Sequence, residues 1–117
     1  MRSTHLTVSQ MFDLEHACRM LSAAFGHNTY LVGSVLLRPD WRDVDLRCML
    51  EDAEYDAMVG PNIHRLKLLN TSISEWLAAR TGLPIDFQFQ RQTEANTEFD
   101  ETRQFMGRPL NAAGGAA

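Results

Sequence analysis

The chain has 117 residues, of which 44% are hydrophobic and 22% are charged, and its formal net charge is −4 at pH 7. This length and composition are typical of one globular domain with a modest core. The acidic balance argues against a nonspecific nucleic-acid coat protein, because such a protein would carry a basic patch or stripe.

The cysteines and the apolar runs narrow the class of protein further. Cys18 and Cys48 lie far apart in apolar settings and form no Cys-x-x-Cys pair. This spacing argues against a zinc site and favours two reduced, buried thiols. No apolar segment follows residues 1–5 as in a signal peptide, and no run approaches the ~20 residues that span a bilayer. We therefore expect a cytoplasmic protein without a membrane partner.

The first predicted helix begins after Thr7, an N-cap residue with Gln10 in the capping-box position. Apolar residues then recur every three or four positions as far as Phe25, which predicts one buried stripe. Gly26 supplies the left-handed position that ends such a helix.

A strand, a tight turn and a second strand come next. Tyr30 to Val32 is a short apolar run that predicts a buried strand, and Gly33-Ser34 follows it directly. Residues 35–37 are compatible with a short helical turn or with extended chain, until Pro39 ends the segment. From residue 43 to residue 50 the pattern alternates, with Val44, Leu46, Cys48 and Leu50 on one face and Asp43, Asp45, Arg47 and Met49 on the other.

The second half of the chain predicts one long helix and a third strand. Residues 51–58 form a connection or short helix, and a longer helix runs from Pro61 or Asn62 to Arg80. A third strand follows, in which Ile85, Phe87 and Phe89 alternate with Asp86, Gln88 and Gln90. Residues 91–100 have no clear pattern, and residues 101–106 are predicted as a short helix. We expect a single domain over residues 1–110 and a flexible Ala/Gly tail over residues 111–117.

Three aspartates are the strongest functional signal. Asp43 and Asp45 are two apart on a strand, so their side chains share a face, and Asp86 lies on the non-apolar face of the third strand. If both strands belong to one sheet backed by helices, all three carboxylates project from its open face. They would repel one another unless a cation neutralised them, and hard oxygen ligands suit Mg²⁺ or Mn²⁺.

The Gly-Ser turn fits the same chemistry. Gly33 allows a sharp turn and a close approach of the backbone to a ligand, and Ser34 offers a hydroxyl and an N–H to a phosphate. Catalysis of phosphoryl transfer is mostly positioning and charge neutralisation, so a few such groups suffice.

This order of motifs resembles the DNA polymerase β-like nucleotidyltransferase superfamily, in particular its minimal members. The resemblance covers residues 25–90: an apolar strand, Gly33-Ser34, a spacer, Asp43-Val44-Asp45-Leu46, a long helix, and Asp86 on a later strand. It implies an α+β fold, in which a small mixed β-sheet is backed by helices on one face.

The resemblance also implies roles for the residues of the motif. Asp43, Asp45 and Asp86 would be catalytic and hold Mg²⁺ or Mn²⁺, with Asp86 helping to deprotonate the acceptor. Gly33 and Ser34 would contact the phosphates of a nucleoside triphosphate. Val35-Leu36-Leu37 stands where the family usually has small and basic residues, so Arg38 and Arg42 are the expected sources of positive charge.

Three functional hypotheses follow. The first is a metal-dependent nucleotidyltransferase that moves a nucleoside monophosphate from a triphosphate to an acceptor hydroxyl on a partner protein or RNA. Because the chain has no room for an acceptor-binding domain, a partner protein or a homodimer would supply one. The second is a catalytically degenerate interaction module with the same fold, which binds a partner or a nucleotide without turnover. The third is an α/β protein whose aspartates are only solvated surface.

Overall fold

A computed structural model of the chain describes residues 5–98 and 103–106. The helices are α1 (Val8–Phe25), α2 (Asp52–Val59), α3 (Ile63–Thr81) and α4 (Gln92–Glu98), with a 3₁₀ turn at Ser34–Leu36. The strands are β1 (Thr29–Val32), β2 (Val44–Leu50), β3 (Ile85–Arg91) and β4 (Arg103–Phe105). The protein is therefore an α+β protein with a small four-stranded sheet.

The sheet is mixed, with the strand order β3-β2-β1-β4. β1 pairs antiparallel with β2 and with β4, whereas β2 and β3 are parallel. A parallel pair needs a crossover connection, and here α2 and α3 provide it between β2 and β3. The register places Asp45 directly beside Asp86.

The core lies between one face of the sheet and the helices α1 and α3. Every second residue of β2 is buried in it, as the alternation predicts, and the core side chains of β3 are Phe87 and Phe89. Cys18 and Cys48 are free and buried in this core, as predicted. Burial raises the pKa of each thiol to about 12, so both are protonated and unreactive at neutral pH.

The ends of the two long helices follow from their capping residues. Thr7 and Gln10 form the predicted capping box, with the Thr7 hydroxyl accepting from the Gln10 N–H at 3.1 Å. Gly26 is left-handed, with φ 72°, as the helix end requires. α3 begins at Ile63, one or two residues after the predicted start at Pro61 or Asn62, because Asn62 is its N-cap and accepts a hydrogen bond from the His64 N–H.

α3 also covers the outer edge of β3. The Ser74 hydroxyl accepts from the Phe87 N–H at 2.8 Å and lies 3.3 Å from the Phe87 carbonyl oxygen. The Asn70 side-chain oxygen accepts from the Phe89 N–H at 3.1 Å. Side chains of a helix therefore satisfy backbone groups that an edge strand usually leaves to water.

The helix predicted over residues 101–106 is wrong. Arg103–Phe105 is the edge strand β4, which pairs antiparallel with Tyr30 to Val32 of β1. Its pairing partner is about seventy residues away in the sequence, so local patterning carries no sign of it. The unassigned stretch that follows β3 contains α4. The predicted tail and the domain boundary at residue 110 lie outside the described residues. None of the helices in the described ranges is long and apolar enough to cross a membrane.

Candidate functional site

A row of four side chains runs across the sheet on the face opposite the core. Strand pairing aligns Asp86 of β3 with Asp45 of β2, Asp45 with Val32 of β1, and Val32 with Arg103 of β4. Residues paired in this way lie on the same face, about 5 Å from their neighbours. The structure thus brings two of the three predicted carboxylates side by side. It excludes the arrangement in which they lie on opposite faces.

Asp45 lies in a setting that disfavours its charge. It is half-buried, and burial is the largest cause that raises the pKa of its carboxyl. The Arg47 guanidinium lowers this pKa, whereas the neighbouring carboxylates of Asp86 and Asp43 raise it, and Asp86 lies within hydrogen-bonding reach. Carboxyl groups with a raised pKa of this kind are typical of functional sites and of cation sites.

Gly33 lies directly against the Asp45 carboxylate. A Cβ atom built on Gly33 would lie 2.3 Å from Asp45 Oδ2. The backbone of Gly33 has φ 82°, a conformation that residues with a Cβ rarely adopt. Both observations favour glycine here, and they place the turn at Gly33 against the Asp45 carboxylate.

Arg47 is the cation nearest to the aspartate pair. Its Nη1 donates to the Leu46 carbonyl at 2.9 Å and to the Asp86 carbonyl at 3.1 Å, while Nη2 lies 3.8 Å from Asp86 Oδ2. The side chain is only 13% exposed. The guanidinium is therefore held by backbone carbonyls, and its contact with the Asp86 carboxylate is electrostatic rather than a hydrogen bond.

The other predicted site residues all precede β2 in the chain. Asp43 is exposed, just before β2, and is close enough to Asp45 to raise its pKa. Ser34 is partly buried and opens the 3₁₀ turn. Arg38 is exposed and pairs with Asp40 at 3.4 Å, and Arg42 is exposed.

Two of the three apolar residues after Ser34 belong to the core. Val35 is completely buried in the core cluster, and Leu36 packs against it. The carbonyl of Val35 also accepts from the His5 N–H at 2.9 Å. Core packing explains why residues 35 and 36 are apolar, whereas Leu37 is 67% exposed and has no such explanation.

The face that carries the aspartates is less open than predicted. Val32 is 1% exposed and Met49 is 5% exposed, although both alternate with core residues. The Arg103 guanidinium lies 4.9 Å above the Tyr30 ring, and its Nη1 is 3.1 Å from Met49 Sδ. The β4 side of this face is therefore covered, and the β3 side retains the carboxylates.

A cleft of about 620 Å³ opens beside Asp86, between α3 and the edge of β3. Its polar lining includes Lys67, Asn70, Ser74 and Glu75. Asp86 is the residue shared by the acidic row and this cleft. A bound molecule in the cleft could therefore reach the aspartate pair.

The donor set fits a hard cation only in part. Asp45 and Asp86 supply carboxylate oxygens, and the Asp45 carboxylate itself fills the space beside Gly33. However, no group of three or more His, Cys, Asp or Glu residues in the described ranges is arranged to hold a metal ion. The Arg47 guanidinium lies where a cation would approach Asp86.

Two arginines of this face were not among the predicted site residues. Arg47 is two positions after Asp45 on β2, so strand alternation places it beside the aspartates and could have identified it. Arg103 could not be found in this way, because its position depends on the pairing of β4 with β1.

The chain matches no family model, no curated protein and no solved structure in the comparisons made with it.

Proposed function

We propose that this protein is a metal-dependent nucleotidyltransferase that transfers a nucleoside monophosphate from a nucleoside triphosphate to an acceptor hydroxyl. The chain would belong to the DNA polymerase β-like nucleotidyltransferase superfamily, and its cofactor would be Mg²⁺ or Mn²⁺. The observation that carries the proposal is the contact between Gly33 and the Asp45 carboxylate, with Asp86 alongside. Three separate parts of the motif meet there.

The proposed reaction forms one bond and breaks another at the α-phosphorus of the triphosphate. The acceptor oxygen bonds to this phosphorus, and the bond to the oxygen that bridges the α- and β-phosphates breaks. The electron pair leaves with pyrophosphate, and the acceptor proton passes to the Asp86 carboxylate. Asp86 suits this role because it is the residue shared by the acidic row and the cleft beside β3.

Asp43, Asp45 and Asp86 are the residues that would hold the metal ions. The ions would supply charge neutralisation of the triphosphate and activation of the acceptor hydroxyl. Gly33 and Ser34 would bind the phosphates through backbone N–H groups and a hydroxyl, with Arg38 and Arg42 as exposed cations in the segment before β2. A partner protein or a second copy of the chain would supply acceptor binding, with an RNA acceptor as an alternative.

The first test compares Asp45→Asn with the wild type in two measurements. One is calorimetric titration with Mn²⁺ and a non-hydrolysable ATP analogue. The other is transfer of label from ATP labelled at the α-phosphate to protein, RNA or water. We expect Asp45→Asn to lower metal-dependent nucleotide binding and transfer by about 100-fold or more, because even the loss of an outer-shell partner of a metal ligand costs about 10–100-fold in metal affinity or activity.

Asp13→Asn is the matched control, because Asp13 is exposed on α1 and lies outside the acidic row. It should bind and transfer like the wild type. Equal transfer by Asp45→Asn and Asp13→Asn would refute the proposal.

The second candidate is an interaction module with the same fold and no turnover. It is favoured by the Arg47 guanidinium beside Asp86 and by the absence of a three-ligand group in the described ranges. The interaction module would be favoured over the enzyme if the wild type transfers no label and its nucleotide binding is either absent or independent of Mn²⁺.

A further inference from the structure

The outer surface of the α1–α3 pair carries a group of exposed apolar side chains. Phe12 and Leu68 are 69% and 68% exposed, and Met20 and Leu69 are 41% and 37% exposed. Single exposed apolar residues are common on a protein surface, whereas a group of them on one face is typical of an interaction site. This surface, which we call the α1–α3 face, consists of Phe12, Met20, Leu68, Leu69, Ile73 and Trp76.

Helical periodicity brings these side chains together. Phe12 and Met20 are eight positions apart on α1, so they lie two turns apart on the same side of the helix, and Leu68 and Trp76 do the same on α3. An apolar groove of about 280 Å³ runs between the two helices. Its lining residues are Met20, Leu21, Ala24, Ser72, Ile73 and Trp76.

The two helices are antiparallel along this seam, and opposite charges lie on its two sides. Beside the groove, a second depression is lined by Phe12, Asp13 and His16 of α1 and by Arg80 of α3, so the beginning of α1 lies beside the end of α3. The Arg80 guanidinium lies 4.9 Å from the centre of the Trp76 ring, which holds this charge at the face. Within the described ranges, neither Asp13 nor Arg80 forms an ion pair.

The area of the α1–α3 face matches what a stable dimer needs. From the exposed fractions, its side chains expose roughly 400–500 Å² of apolar surface. A standard interface buries about 800 Å² on each partner, and a little over half of that area is apolar. The face therefore supplies the apolar share of one such interface, and the charged residues beside it supply part of the polar rim.

Charge complementarity selects a second copy of the chain as the occupant. Rotation by 180° about an axis along the seam exchanges the two sides of the face without exchanging its ends. α1 of one copy then lies antiparallel on α3 of the other, and Asp13 of each copy meets Arg80 of the other. The antiparallel arrangement also places opposite ends of the helix dipoles side by side.

We propose that the α1–α3 face binds a second copy of this chain about this two-fold axis. Phe12 and Met20 of one protomer pack against Trp76 of the other, and these apolar contacts carry the dimer, because one exposed charge pair contributes little. The proposal does not depend on the proposed metal site. The acidic row lies on the sheet face that points away from α1 and α3, so it stays accessible in the dimer.

Sedimentation velocity in buffer with EDTA tests the dimer over protein concentrations of about 2–200 µM. We expect the wild type to change from the mass of one chain to the mass of two, with a dissociation constant of about 10 µM. Leu68→Glu should raise this constant about 100-fold, because it buries an unpaired charge in the interface. The variant should keep the fold, measured by circular dichroism, because Leu68 is exposed.

Leu37→Glu is the matched control, because Leu37 is 67% exposed and lies outside the α1–α3 face. It should dimerise like the wild type. A wild type that stays monomeric at about 200 µM, or a dimer that Leu68→Glu weakens no more than Leu37→Glu does, would overturn the proposal. Binding of the monomer to phosphatidylcholine vesicles in place of self-association would also overturn it, since the face would then belong to a membrane.

Charge reversal tests the axis. Arg80→Asp should weaken the dimer about tenfold, because it sets two carboxylates against each other, and Asp13→Arg alone should do the same with two cations. The double variant should recover to within about threefold of the wild type. A double variant as weak as Arg80→Asp would overturn the proposed arrangement. Because no metal is present, none of these outcomes bears on the proposed function.

Discussion

The fold contains two pairs of aspartates, each beside its own arginine. The pairs differ in how many hydrogen bonds and short ion pairs their carboxylates make. Asp52 and Asp56 of α2 bind Arg91 at the end of β3. Asp56 accepts two hydrogen bonds from Arg91 at 3.1 and 3.2 Å, and Asp52 lies 3.3 Å from Arg91 Nη1. Asp52 also accepts from the backbone and the hydroxyl of Thr93.

Asp45 and Asp86 face Arg47 with much weaker contacts. The nearest distance between Arg47 and the Asp86 carboxylate is 3.8 Å, and the two carboxyl groups lie beside each other. Hydrogen bonds from Thr93 lower the pKa of Asp52, whereas burial and neighbouring carboxylates raise the pKa of Asp45. Asp52 and Asp56 connect α2 to β3 and α4. The negative charges of Asp45 and Asp86 are only partly neutralised by Arg47, and carboxylates of this kind are typical of functional sites.

The largest expected effect is the loss of stability in Gly33→Ala, which tests how tightly Gly33 packs against Asp45. Gly33→Ala places a Cβ 2.3 Å from Asp45 Oδ2 and also strains a backbone with φ 82°. We expect a loss of about 2–4 kcal/mol in the free energy of unfolding, from strain plus a displaced carboxylate. Urea unfolding measures it.

Gly60→Ala is the matched control for the backbone term alone. Gly60 has φ 53° and ψ −145°, close to the φ 82° and ψ −158° of Gly33, and a Cβ there would meet only the Ala57 carbonyl oxygen at 3.5 Å. It should cost about 1–3 kcal/mol, less than Gly33→Ala. Equal losses at the two glycines would show that the Gly33 contact with Asp45 is not tight, and the difference between the aspartate pairs would then weaken.

The next effect concerns the unsatisfied charge of Asp45. Because its pKa is raised in the folded state, the ionised carboxylate destabilises the fold at neutral pH, and this cost disappears as pH falls below about 4, where both states are protonated. Asp45→Asn should therefore stabilise the protein by about 0.2–1 kcal/mol at pH 7, with allowance for solvent at a half-buried group. The gain should vanish near pH 3. A loss of stability at pH 7 would contradict the raised pKa.

The smallest effect has the opposite sign and concerns Asp52. Its pKa is lowered, first by the Thr93 hydroxyl, so its ionised form stabilises the fold above about pH 4, and this contribution is lost as pH falls through the lowered pKa. Asp52→Asn should destabilise the protein slightly at pH 7 and not at pH 2. Thermal unfolding across pH measures both variants together. If the effects of Asp45→Asn and Asp52→Asn on stability changed with pH in the same direction, the difference proposed between the two aspartate pairs would be contradicted.

The elements with strong local signals were predictable from sequence. The capping box at Thr7, the alternation of β2 and the alternation around Asp86 each depend on neighbouring residues, and the structure confirms all three. The shared face of Asp45 and Asp86 followed from that alternation and from one further assumption, that the two strands share a sheet.

What could not be predicted depends on distant pairing. Local sequence predicts a helix where β4 lies and carries no sign of the strand, because the partner β1 is far away in sequence. The contacts of Arg103 with Met49 and Tyr30 depend on that pairing. The anchoring of Arg47 by the Asp86 carbonyl also spans 39 residues. Strand alternation indicated its face but not its contacts.

The cover of β3 by α3 has a consequence for how the sheet meets other chains. An edge strand can add a further strand only through N–H and C=O groups that have no other partner. At β3 the N–H groups of Phe87 and Phe89 already donate to Ser74 and Asn70. Extension of the sheet at this border would require α3 to give up those bonds, which disfavours the addition of a further strand, while Asp86 keeps 46% of its side chain exposed.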